Sequence, residues 1–137
     1  MSTRLRVEPI TCVPEETGNY STVRVRCTRA MQLFGITLPV QQTVAQIEAR
    51  KLEKRASWNS ATVTDWVLRS GGQAGITRDD VQVAKAAVAA LKSALLLMNV
   101  DMLYFDSLPG GEAVLMCQAG FHKLLGARLY MDLNHRQ

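Results

Sequence analysis

The chain has 137 residues, 47% of them hydrophobic and 20% charged, with a formal net charge of +4. One domain of that length can bury a core of its own, and the balance excludes collagen-like and intrinsically disordered classes. The small excess of lysine and arginine suits an acidic partner such as nucleic acid, phosphate or an anionic cofactor, and serves solubility equally well. Cys12, Cys27 and Cys117 lie far apart without metal-ligand spacing, which argues against a disulfide scaffold or a zinc site and for a reducing, cytoplasmic setting. No basic start followed by an apolar run marks a signal peptide. The most apolar stretch, Ala86 to Phe105, is broken by Lys92, Ser93, Asn99 and Asp101, so no membrane partner is expected.

Taken in order, Arg4 to Val13 alternates as a strand, with Pro9 at its end or edge. Pro14 to Asn19 reads as a loop. Thr22 to Arg29 alternates again, and Met31 to Leu38 reads as a third strand stopped by Pro39. Residues 1–39 are therefore expected to form a meander. Residues 40–56 read as a helix, with Val44, Ile47 and Leu52 turned inward. Ala61 to Leu68 is ambiguous: Thr62, Val63, Thr64, Trp66 and Val67 favour a strand, whereas Ser60 can cap a short helix.

A glycine-rich turn, Arg69 to Gly75, leads into the longest helical pattern, residues 77–99. Thr77 and Asp80 have the spacing of a capping box, and Asp79 and Asp80 suit the positive end of the helix dipole. Apolar residues cover most of this helix, which marks it as the buried element around which the others pack. Val100 to Phe105 follows as a short buried strand, then a Pro-Gly-Gly turn, a second helix from Glu112 to Leu125 closed by Gly126, and a strand over Ala127 to Leu133. The expectation is an α/β (α+β) chain of one domain, 1–137. It would hold a single mixed sheet of five to six strands, packed on the 77–99 helix with two further helices. Residues 61–133 would run strand, glycine turn, helix, strand, helix, strand.

Several glycines before a helix N-terminus can present backbone N–H groups to one anion. Arg69-Ser70-Gly71-Gly72-Gln73-Ala74 fits the pattern (Gln/Arg)-x-x-Gly-x-(Gly/Ala). With a strand before it and a long helix after it, the stretch resembles the GNAT superfamily of acyl-CoA N-acyltransferases. The later Cys117-Gln118-Ala119-Gly120-Phe121, followed by a strand, is similar to that family's final helix, Gly-Phe and strand. The resemblance covers residues 61–133. It implies that Arg69, Gly71, Gly72, Gln73, Ala74 and Gly75 hold the pyrophosphate of an acyl-CoA, with acylation of an amine as the chemistry and no metal. The family often carries a tyrosine acid five residues before the Phe of Gly-Phe. Here that position is Met116, which cannot transfer a proton, so the resemblance implies ligand binding more than turnover.

Three other readings compete. Phe34 to Pro39 followed by a helix and a second helix from Ser60 is similar to ribbon-helix-helix DNA-binding dimers, and this requires 61–68 to be helical. Arg4, Arg6, Arg24 and Arg26 would share one sheet face able to track phosphates, with Tyr20 the nearest aromatic residue. A protein-binding adaptor or inhibitor, with a protein partner or a second copy, suits the absence of a full catalytic set. Asp106, after the 100–105 strand, is the best-placed acid and reads equally as a turn residue. Cys117 and His122 point to different sides of a helix and form no nucleophile–base pair.

Overall fold

Period-two alternation governs more of this chain than its helical patterns suggest. The computed structural model describes residues 9–52, 59–69, 75–106, 111–124 and 128–134. Its strands are β1 (Thr11–Glu15), β2 (Thr22–Leu33), β3 (Ile36–Lys51), β4 (Ser60–Leu68), β5 (Met102–Asp106), β6 (His122–Lys123) and β7 (Arg128–Asp132). Its helices are α1 (Arg78–Leu97) and α2 (Gly111–Gln118). The strands make one seven-stranded sheet in the order β1-β2-β3-β4-β5-β7-β6. Every neighbouring pair is antiparallel except β4 and β5, which run parallel.

The expected helix over 40–56 is a strand. Ala45, Ile47 and Ala49 are buried on one side of β3, and Gln46, Glu48 and Arg50 lie on the other. That alternation is half hidden because two of its inward residues are alanines. Pro39 does not stop a strand either; β2 turns at Phe34-Gly35 and β3 begins at Ile36. Both turn residues have positive φ, 53° and 77°, as a two-residue type I′ hairpin requires. The sheet therefore has more strands than the five or six expected, and two helices, not three, occur among the described residues. Arg4 to Glu8 lies outside the described residues, and β1 begins at Thr11, beyond the Pro9 that was expected to end the strand.

Residues 61–68 are strand, as the β-branched run favours, so the ribbon-helix-helix reading loses both of its helices. Thr77 and Asp80 form the predicted capping box. The Asp80 N–H donates to the Thr77 hydroxyl at 3.1 Å, and the Thr77 N–H donates to the Asp80 carboxylate at 3.1 Å. Val83, Ala84, Ala87, Val88, Leu91 and Leu95 of α1 are buried against the sheet. Each of the larger four contributes roughly 1.5–3 kcal/mol of transfer free energy. The helix ends at Leu97 with Met98 as its C-cap, and Asn99 follows at a φ of 61°, a conformation asparagine tolerates just past a helix. The Lys51 ammonium donates to the Met98 carbonyl at 2.9 Å and satisfies one of the last free acceptors.

The second helix is shorter than expected. It ends at Gln118, and Gly120, at φ 117°, turns the chain rather than Gly126, which lies outside the described residues. Phe121 leaves the helix and packs edge-on against Phe105 with ring centres 6.0 Å apart. Strand β7 alternates as a strand over Ala127 to Leu133 should, with Leu129 and Met131 buried and Leu133 buried just beyond it; Ala127 lies outside the described residues. The cysteine expectation is overturned at one pair: Cys12 and Cys27 face each other across β1 and β2 and are joined as a disulfide. Cys117 is free and half-buried.

Candidate functional site

The register of β4 and β5 creates the main irregularity of the sheet. Only three residue pairs link them, Ser60 with Met102, Ala61 with Leu103 and Thr62 with Tyr104. Beyond Thr62, β4 continues for six residues that, among the described residues, are not paired to β5, while its other edge stays paired to β3. A notch thus opens between the two parallel strands on the side where β4 ends, and α1 begins at that same end of the sheet.

Arg69 extends the ladder by one rung, its N–H donating to the Val44 carbonyl at 2.9 Å. Its guanidinium meets the side-chain amide of Gln42, whose oxygen accepts from it once the amide is oriented to satisfy both groups. Thr43, Val44, Ala45, Gln46 and Val67 form, with Arg69, a shallow hollow of about 280 Å³. Gly71, Gly72, Gln73 and Ala74 lie outside the described residues. Gly75 resumes the chain at φ 82°, a conformation that side chains disfavour. The capping box occupies the amides of Thr77 and Asp80. The amides of Arg78 and Asp79, in the first turn, have no partner within the helix.

The charge at this end is set by pairs. Arg29, from β2, reaches Asp79 with two hydrogen bonds of 3.0 and 2.9 Å. Hydrogen bonding to Arg29 holds the Asp79 carboxyl below its usual range. Asp79 is thereby compensated by Arg29, while the Asp80 carboxylate serves the capping box at the same end of α1. Arg29 was not read as a functional residue from the sequence; it lies 50 positions from its partner, and no local pattern links them.

The acids and bases singled out from the sequence are placed less favourably for chemistry. Asp106 is exposed at the end of β5 and bound by Arg128 at 2.8 Å. That hydrogen bond keeps its carboxyl ionised to lower pH than usual, which suits neither a proton donor nor a base. Arg128 also lies over the Tyr104 ring at 5.0 Å. Met116 is fully buried in α2. Cys117 stays on α2 while His122 leaves it for β6 and tilts against Tyr130 at 5.6 Å. Asp101 accepts from the Asn134 side chain at 2.6 Å, a structural tie between strand ends.

The arginines of the basic-face reading are divided. Arg24 and Arg26 point away from α1, and Arg4 and Arg6 lie outside the described residues. Arg24 pairs with Glu48 and Arg26 with Glu15, both at 2.8 Å. Tyr104, Tyr130 and His122 occur on the same open face by register, together with Asp106 and Asp132. Its described positive charge is therefore largely compensated.

No family model matches this chain, and no curated protein matches it. Solved structures do. Aminoglycoside 6'-acetyltransferase type Ii aligns with a TM-score of 0.54 at 13% identity, covering 87% of this chain and 74% of that one. A variant of the AtaT toxin, bound to the C-terminus of the antitoxin AtaR and to acetyl-CoA, aligns with a TM-score of 0.54 at 16% identity, over 82% of this chain and 68% of that one. The KacTA–DNA complex gives 0.54 at 12% identity, over 84% and 70%. Identity this low speaks to architecture alone. The strand order, the notched parallel pair and these neighbours together give the chain a GNAT acetyltransferase fold.

Proposed function

We propose that this chain binds an acyl-CoA, with the ligand's pyrophosphate on the turn from Arg69 to Gly75 and the N-terminus of α1. The observation that carries the reading is the notch between β4 and β5. An extended amide chain such as pantetheine could lie along the unpaired edge of β4, exchanging backbone hydrogen bonds as a short added strand. The pyrophosphate would then meet the amides of Arg78 and Asp79 and the turn glycines, with Arg69 and Arg78 supplying positive charge. The acetyl-CoA bound to the AtaT toxin supports the same ligand class.

Amine acylation is the reaction this ligand would serve. The amine nitrogen attacks the thioester carbonyl, a carbon–nitrogen bond forms as the carbon–sulfur bond breaks, and the proton lost by the nitrogen is balanced by the one the departing thiolate takes up. Met116 supplies none, and Asp106 is held ionised by Arg128. Binding is therefore the function proposed for the described residues, and transfer would require water or an acceptor group as the proton source.

Isothermal titration of the full chain with acetyl-CoA tests the reading. Saturable binding in the micromolar range is expected, and it should be lost in Gly72→Trp while the circular dichroism spectrum is kept. An absence of heat and of ligand-dependent thermal shift at millimolar acetyl-CoA would sink the proposal.

A further inference from the structure

Strands β2 and β3 are longer than the sheet that holds them. Beyond Thr28 on β2 and before Val44 on β3 they pair with each other and, among the described residues, with no other strand. The result is a two-stranded ribbon standing beyond the end of β4. It has two unlike sides. Leu33 and Ile36 are direct partners, and alternation adds Met31 and Leu38 to their side; Gln32 and Thr37 are partners on the other.

The apolar side is open. Leu33 is 54% exposed, Phe34 94%, Ile36 64% and Val40 53%. No charged residue occurs from Ala30 to Ile47. Sheet proteins usually protect such a ribbon with charges, and this one has none. Phe34 occupies a φ of 53°, where glycine, asparagine or aspartate is preferred. A bulky ring is thus held in a strained conformation and placed in solvent, where it stabilises nothing in the isolated chain.

We infer that this ribbon is a dimer interface, docking face to face on the same ribbon of a second copy about a two-fold axis. The chemistry selects that occupant. The ribbon's own residues from Ala30 to Ile47 carry no charge, and the two arginines at its base, Arg29 and Arg69, are engaged by Asp79 and Gln42. A two-fold interface must match itself, and an uncharged apolar face does so without any arrangement of opposite charges. The area also suffices. The four side chains expose on the order of 500 Å² per chain, and two copies would cover on the order of 1,000 Å², the lower bound for a specific interface. Pro39 lacks an N–H and sits where the β2–β3 register is irregular, which hinders edge-on addition of strands and favours a closed pair over a fibre.

Sedimentation equilibrium of the full chain, from about one to several hundred micromolar, is the test. A concentration-dependent dimer is expected for the native chain. Ile36→Lys should weaken dimerisation at least about tenfold without loss of β-sheet signal. Phe34→Gly gives a signature of opposite signs: it relieves the turn and raises the melting temperature of dilute protein, yet it weakens the dimer. A monomer at every concentration would overturn the inference, as would a dimer that neither substitution affects. The result is independent of acyl-CoA binding, which titration reads separately.

Discussion

Replacing Thr77 by alanine removes one hydroxyl and tests the hinge between the glycine turn and α1. In the native chain that hydroxyl accepts the Asp80 N–H at 3.1 Å, and the Asp80 carboxylate accepts the Thr77 N–H at 3.1 Å. Alanine leaves the second bond in place and removes the first. Asp80 is 5% exposed, so water reaches its amide poorly and the loss is not readily made good. Capping substitutions of this kind cost about 1 kcal/mol, within a range of roughly 0.5–2. For a domain of this size that is a fall of about 3–5 °C in melting temperature. Urea denaturation followed by circular dichroism should show the same loss as a shift in midpoint at constant slope. Thr77→Ser should keep most of the stability, and a double-mutant cycle with Asp80→Ala should reveal positive coupling between the two sites. If alanine and serine behave alike, the capping box does not hold the start of α1. On the acyl-CoA reading, Thr77→Ala should also weaken ligand binding, because the first-turn amides lose their fixed direction.

Three further outcomes follow from the same geometry. Gly120→Ala places a side chain at φ 117° with its Cβ 3.0 Å from the Met131 Cε, and should cost about 1–3 kcal/mol in thermal or urea unfolding. Adding Met131→Ala should not restore it, because the backbone conformation rather than the flexible methionine tip sets the penalty; full rescue would refute that assignment. The Asp79 carboxyl is depressed by Arg29, so its contribution is present above the unfolded-state value and fades as pH falls through the folded one. The stability gap between the native chain and Asp79→Asn should be steady above about pH 5, no more than about half a kcal/mol because the pair is partly exposed, and should shrink progressively as acid protonates the carboxyl. Cys12 and Cys27 are 15 residues apart in sequence, and cutting their bond with dithiothreitol should lower stability by up to about 3 kcal/mol. Equal melting curves with and without reductant would show that the bond contributes nothing in solution.

What could be read in advance depended on how much signal each segment carried. The 77–99 helix announces itself twice, through its Thr77–Asp80 spacing and its continuous apolar cover. The last strand is equally plain, because Leu129, Met131 and Leu133 are large and regularly spaced. The 40–56 segment misled for a definite reason. Val44, Ile47 and Leu52 happen to have helical spacing, whereas the true inward set, Ala45, Ile47 and Ala49, includes two residues too small to stand out. Its charges suit a solvated helix face as well as a strand, and Glu48 is in fact a cross-strand partner of Arg24. The Cys12–Cys27 pair could not be foreseen without the register of β1 on β2, and three cysteines allow several pairings. For the candidate site, the motif was legible as a pattern of residues, of which Arg69 and Gly75 fall among those the structure describes. The notch between β4 and β5 was not, since it depends on where two distant strands stop pairing.

The three-residue seam between β4 and β5 also bears on how the chain folds. Strands β1 to β4 join through successive antiparallel hairpins and can zip from their turns. Strand β5 reaches β4 only after α1 has crossed the sheet, so the seam carries the large loop-closure penalty of a parallel contact. The sheet is thus two cooperative halves joined at a narrow joint, and sub-global opening should begin there. Hydrogen exchange would report this directly: the amides of Leu103 and Tyr104 should exchange by a lower-energy opening than those of Val25 and Ile47. A ligand laid into the notch would bridge both halves, and the bound protein should then exchange as one unit.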